Sequence, residues 1–159
     1  LEAELKDTIA SKNDYIKNKV ITFEHLWTIF QPGCTLYSEE WGRECGSKFL
    51  CGNYVENSKY GPCYAVDMQK VDWDGDRFGY AYCQQLISSF GGTTQIESLD
   101  TFPLEFHSEQ KKVKSILLKR GKCFEQFHGY HYKMYKAFAI GKDMCGRDIK
   151  VTVDSRIIM

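Results

Sequence analysis

Several things are missing from this 159-residue chain, and each absence removes a class of explanation. Only three prolines are present, and neither hydrophobic residues, at 43%, nor charged ones, at 26%, depart from the ordinary values of a globular protein. No apolar stretch approaches the ~20 residues a membrane-spanning helix needs. No charge of either sign dominates: 21 basic residues balance 21 acidic ones. A general polyanion binder normally carries a basic excess, so that role is disfavoured for the chain as a whole. Catalytic signatures are missing too. Gly91-Gly92 is not followed by the Gly-x-x-x-x-Gly-Lys-Ser/Thr of a nucleotide loop, and there is no Gly-x-Ser-x-Gly nucleophile elbow. No 20 to 50-residue repeat is visible.

Aromatics are plentiful, with ten Tyr, ten Phe and three Trp, as suits strands and packed faces. The length fits one domain, able to bury roughly 70% of the surface of its unfolded chain without a metal or disulfide staple. The seven cysteines, at positions 34, 45, 51, 63, 83, 123 and 145, include no Cys-x-x-Cys pair, so no zinc-ribbon or thioredoxin spacing exists. Buried, reduced thiols in an intracellular protein are expected; a secreted domain with three disulfides, Cys45–Cys51 closing a small loop, is the alternative. The chain opens on Leu1 rather than Met and stops on a strand-like Ile157-Ile-Met159, so further sequence is expected on either side.

Periodicity predicts an α+β domain: mostly antiparallel β-sheet or a partly open barrel, with a helical N-terminus and one central helix. Residues 1–20 read as a helical flank, with Leu5, Ile9, Tyr15, Ile16 and Val20 as a loose stripe. Residues 21–159 read as the domain proper. Thr22 is placed to cap a short helix whose Phe23, Leu26, Trp27 and Phe30 share a face, ended by Gln31-Pro-Gly33. Cys34–Tyr37 and Phe49–Val55 read as strands. Cys63–Val71 and Phe78–Ile87 flank Trp73-Asp-Gly-Asp76, and Asp-Gly there signals a tight hairpin. Phe78, Tyr80, Tyr82, Gln84 and Leu86 fall on one face, expected to be buried. Thr94–Leu99 is a further strand and Phe102-Pro-Leu104 an edge or corner. Ser108 is expected to cap a helix from Glu109 to about Arg120, with Val113, Ile116 and Leu117 as its stripe and Gly121 as its stop. A second hairpin pairs Tyr132–Ile140 with Ile149–Val153 around Gly141–Arg147, and Ile157–Met159 is expected to add to the same sheet.

Candidate chemistry is thin. His128-x-x-His131 lacks a third ligand at a metal spacing, which favours a structural role. Asp72-x-Asp74-x-Asp76 opens like a calcium loop, but Arg77 stands where the glycine belongs and Cys83 where the glutamate belongs. Turn chemistry accounts for these acids better. The basic cluster Lys111, Lys112, Lys114, Lys119, Arg120 and Lys122 suits an acidic partner or nucleic-acid phosphates, or is simply a solvated face. Lys119, Arg120 and Lys122, with Tyr130 and Tyr132 (and Tyr135) as stacking surfaces nearby, are the candidate binding residues.

Taken in order, several segments carry a family resemblance. They are Phe23-x-x-Leu-Trp-x-x-Phe-x-Pro-Gly33, Asp72-Trp-Asp-Gly75 with Phe78-Gly79, Ile87-x-x-Phe-x-Gly92, Ile96-x-x-Leu99 with Phe102-Pro-Leu104, Arg120-Gly-Lys-x-Phe124, and Ser155-Arg-Ile-Ile158. The chain resembles, over about residues 21–159, the domain of unknown function that precedes the AAA ATPase core in many filamentous-fungal proteins. One departure is Lys136-Ala137, where a glycine shortly after Tyr135 is expected. The resemblance implies an intracellular multidomain ATPase whose nucleotide chemistry lies outside this chain. It implies a non-catalytic recognition or regulatory domain, needing no cofactor or metal, whose partners are protein clients or adaptors and the ATPase core of its own chain. Two rivals stand beside it. A nucleic-acid module would gather Lys119, Arg120, Lys122 and tyrosines on one face. A small Cys- or His-centred enzyme would hold an accessible, perturbed thiol in a pocket.

Overall fold

The computed structural model describes residues 15–40, 42–127, 129 and 131–158. Among the described residues nine strands and one long helix run in chain order: β1 (Val20–Thr22), β2 (Thr35–Glu40), β3 (Arg43–Asn57), β4 (Gly61–Trp73), β5 (Phe78–Ser88), β6 (Thr93–Gln95), β7 (Thr101–Pro103), α1 (Gln110–Gln126), β8 (Tyr132–Lys142) and β9 (Asp148–Ile158). Three 3-10 helical turns punctuate them, at Phe23–Thr28, Ile96–Ser98 and Leu104–Phe106. All pairings are antiparallel. The main sheet has the order β5-β4-β3-β2-β7; a β1–β6 pair and a β8–β9 ribbon are separate two-stranded sheets. The expected α+β, mostly antiparallel architecture holds.

Both predicted hairpins form, because their loops satisfy themselves. In the first, Asp74 Oδ1 accepts hydrogen bonds from the backbone N–H groups of Asp76 and Arg77 at 2.9 and 2.8 Å. Gly75 takes the left-handed φ of 103° that a side chain would resist. In the second, Asp143 Oδ1 accepts from Cys145 and Arg147, and Oδ2 pairs with the Arg147 guanidinium at 2.9 Å. Backbone donors hold both carboxyls below the usual carboxylate range, those of Arg77 and Arg147 first. The aspartates at 74 and 143 are thus turn formers.

The core lies on one face of the main sheet. Leu36, Phe49, Tyr64, Val66, Met68 and Ile87 point into it, covered by Ile21, Leu26, Ile29 and Phe30 from β1 and the first 3-10 turn, and by Ile96. Each fully buried side chain of this kind contributes about 1.5–3 kcal/mol relative to an exposed one. A register shift between Phe49 and Cys51 bends β3 and keeps its core face aligned with β4. Gly52 follows the shift because the Tyr64 ring crosses its backbone, where a Cβ would collide with the phenol. At the sheet's other end Leu36 pairs with Pro103 at the β7 edge, where a proline's missing donor is tolerated.

Five local expectations are overturned. Thr22 occupies the N-cap of the first 3-10 turn, but its hydroxyl meets His25 Nδ1 at 2.8 Å instead of capping the backbone, and Trp27 is 51% exposed rather than sharing the buried face. The Thr94–Leu99 strand is cut short at Gln95 by the Ile96–Ser98 turn. Glu109, not Ser108, is the N-cap of α1, and its carboxylate pairs with Lys112 instead of the helix amides. Finally, α1 runs through Gly121 to Gln126. A mid-helix glycine costs only about 1 kcal/mol, and Phe124 in the added turn packs edge-on against Phe78 at 5.5 Å. Of the expected N-terminal helix, residues 15–18 are helical. Leu5 and Ile9 lie outside the described residues.

Candidate functional site: a cleft between the long helix and the open sheet face

Strand alternation puts Lys48, Gln69, Val71, Trp73, Phe78, Tyr80 and Tyr82 on the sheet face opposite the core, since opposed residues in the register share a face. This is the β5 face that the sequence led us to expect buried. It is open: Tyr80 is 63% and Tyr82 73% exposed, and Gln84 is exposed with them. The alternate residues Ala81, Cys83, Gln85 and Ile87 face inward instead, and Ile87 is the one that is fully buried.

α1 crosses this open face without sealing it. Leu117 packs on Gly46 of β3, whose missing side chain allows the helix to approach. Val113 is buried, and Phe124 reaches Phe78 on β5. Arg120 anchors the helix, its guanidinium donating to the backbone carbonyl of Glu44. Between these contacts lies a cleft of about 720 Å³, within the range typical of ligand pockets. Val71, Leu104, Leu117, Leu118 and the Tyr80 ring give it apolar lining, Lys48, Lys70 and Lys114 are its cations, and Glu105 is its one carboxylate among the described residues. Val71 and Leu118 are each more than half exposed, as Tyr80 is.

The outer face of α1 is basic. Lys111, Lys114, Lys119 and Lys122, with Ser115 and Leu118, border a shallow depression of about 440 Å³. Among the candidate binding residues, the structure therefore brings Lys119 and Lys122 together and turns Arg120 onto the sheet. Tyr132 is exposed on β8 but lines neither the cleft nor the depression. Tyr130 lies outside the described residues, as does the side chain of Tyr135. The cleft residues Val71, Tyr80 and Leu118 were not singled out as binding residues from sequence. The signal for them was present, in a strand whose two faces are both apolar.

Side chains with reactive chemistry are arranged differently. All seven cysteines are free, so Cys45 and Cys51 do not close a loop. Only Cys63 is fully buried, whereas Cys51, Cys123 and Cys145 are exposed. Burial pushes the Cys34 and Cys45 thiols up, and the hydrogen bond from Cys51 Sγ to Asp67 Oδ2 at 3.4 Å does the same for Cys51. Every resolved thiol shift thus runs away from the thiolate that nucleophilic chemistry needs. Partial burial would lower the Lys70 ammonium, but the adjoining Glu40 carboxylate outweighs it and the net shift is upward. His107 sits against the rings of Tyr37 and Phe102, and its Nδ1 accepts the Glu109 N–H. His128 lies outside the described residues. Among the described residues no group of three or more His, Cys, Asp or Glu is placed to hold a metal ion, and no helix is long and apolar enough to cross a membrane.

A family model for a domain of unknown function, DUF7025, matches residues 11–108. The chain belongs to that family. The match takes in β1 to β7 and ends just before α1, so it begins earlier and stops sooner than the 21–159 span of the resemblance. The cleft is therefore built from both parts, its floor from the matched region and its wall from the helix that follows. No curated protein and no solved structure matches the chain.

Proposed function

We propose that this chain is a non-catalytic recognition domain that binds a segment of a protein partner in the cleft between α1 and the open sheet face. One observation carries the reading: Val71, Tyr80 and Leu118, all exposed, converge on a single concave surface of about 720 Å³. Contiguous exposed apolar surface of this kind marks interaction sites in proteins that otherwise bury such groups. The upward thiol shifts favour recognition over a cysteine-centred enzyme. The resemblance to domains preceding a fungal AAA ATPase core supports an intracellular setting in which the domain presents clients or adaptors to the ATPase core of its own chain. A second reading, nucleic-acid binding, draws on the α1 lysines.

The test is retention from native cell extract on the immobilised chain, compared with a Val71→Glu, Leu118→Glu variant of unchanged circular dichroism. Proteins held by the first and released by the second, and still held at moderate salt, are the expected result. Equal retention by both would remove the cleft as the site. Recovery of mainly nucleic acid, lost steeply as salt rises, would replace this reading with the second.

A further inference from the structure

We infer that the segment taken by the cleft is acidic: an extended stretch of a partner protein whose apolar side chains enter over Tyr80 and Leu118 while its carboxylates lie along the lysines of α1. The inference rests on the recognition reading above and adds the chemistry of the partner.

Charge complementarity carries it. Lys111, Lys114, Lys119 and Lys122, with Ser115 and Leu118, recur at three- and four-residue steps and so form one stripe along the helix. Three other lysines have carboxylate partners: Lys112 pairs with Glu109, Lys70 with Glu40 and Lys19 with Glu97. Among the described residues the four stripe lysines have none. In a chain with no net charge, four unmatched ammonium groups on one face are a local excess, and an acidic ligand is what would neutralise them.

The stripe is also continuous with the cleft. Lys114 and Leu118 line both. Leu118 stands 58% exposed among the lysines, an apolar knob inside a cationic field. A segment alternating apolar and acidic residues meets both demands at once, because successive side chains of an extended strand point to opposite sides. A nucleic-acid strand would use the lysines but gain little from Leu118. It would also want arginine planes among the lysines, whereas Arg120 is engaged with Glu44.

Fluorescence anisotropy on the full chain tests this with three labelled probes: a ~12-residue peptide alternating Glu with Leu and Phe, the same peptide with Gln for Glu, and an oligothymidylate of similar length. The Glu peptide is expected to bind roughly tenfold more tightly than the Gln peptide, from four exposed ion pairs of modest individual worth. That advantage should vanish at high salt and in the combined Lys111→Gln, Lys114→Gln, Lys119→Gln, Lys122→Gln variant, whose helix glutamine preserves. Leu118→Ser should weaken both peptides. If the two peptides bind alike and respond to Leu118→Ser but not to the lysine variant, the acidic character is overturned and the recognition reading stands. If neither peptide binds while extract proteins are still retained through the cleft, the inference again falls alone. If neither peptide binds and the extract experiment also fails, both fall. Tighter binding of the oligothymidylate, abolished by the lysine variant, would overturn the inference in favour of nucleic acid.

Discussion

On one side of the main sheet, Leu36, Phe49, Tyr64, Val66 and Met68 are sealed beneath β1 and the first 3-10 turn. On the other side, Val71, Tyr80 and Tyr82 stand in water beside α1. Both faces are built from aliphatic and aromatic residues, so composition does not separate them. The lids do. The first face receives Ile21, Leu26, Ile29 and Phe30, a lid whose fully buried side chains are apolar apart from Thr28. The second receives a helix that offers Val113, Leu117 and Phe124 but carries lysines between them. A five-stranded sheet presents two faces, and this chain supplies one complete cover and part of another. Apolar surface left by an incomplete cover is available for a partner.

The contrast can be broken most forcefully on the closed face. Gly52→Ala would drive a methyl group into the Tyr64 phenol, and overpacking of this kind should cost about 3 kcal/mol in urea unfolding. Combining it with Tyr64→Leu should cost less than the sum of the two single changes; strict additivity would show that the two groups do not meet. Alkaline pH probes the same tyrosine. Burial pushes its hydroxyl from the usual 10 up to about 12, so the folded state holds the proton that the unfolded chain releases. Its contribution is therefore complete below pH 10 and is lost as pH rises toward 12, by at most about 2.7 kcal/mol. Titration by phenolate absorbance should show a late-titrating tyrosine that Tyr64→Phe removes.

Smaller effects belong to the open face. Tyr80→Ser with Tyr82→Thr should change stability by less than about 0.5 kcal/mol while abolishing partner retention. A loss as large as that of Gly52→Ala would mean the two faces are not different in kind. Least of all, Asp67→Asn should leave stability nearly untouched and raise the alkylation rate of exposed Cys51 a few-fold, because the carboxylate that disfavours its thiolate is gone. Buried Cys63 should stay unreactive until the chain unfolds.

What could be read from the sequence was whatever is fixed locally. Trp73-Asp-Gly-Asp76 and Gly141–Arg147 announced their hairpins because an aspartate side chain closes each turn with no help from elsewhere. The edge position of Pro103 was legible for the same reason, its missing donor. The misreadings with the widest consequences depended on distant residues. Gly121 looks like a helix stop until Phe124 finds Phe78, 46 residues back in the chain. The β5 faces could not be ranked, since Tyr80 and Tyr82 alternate with Ala81 and Cys83, and only the position of the first 3-10 turn decides which side is covered. In the same way the basic cluster could be read from sequence as a unit, but not which of its members faces outward. Arg120, counted among the binding residues, is spent on a carbonyl of β3.

β5 ends the main sheet, and its eleven residues include no charge and no proline, the usual guards of an exposed edge. The chain also has no net charge at neutral pH to keep copies apart. Taken together these make the colloidal behaviour of the isolated chain a function of pH. Light scattering of concentrated samples should be greatest near neutrality and should subside as the solution is moved to either side, where like charge keeps neighbouring edges from meeting.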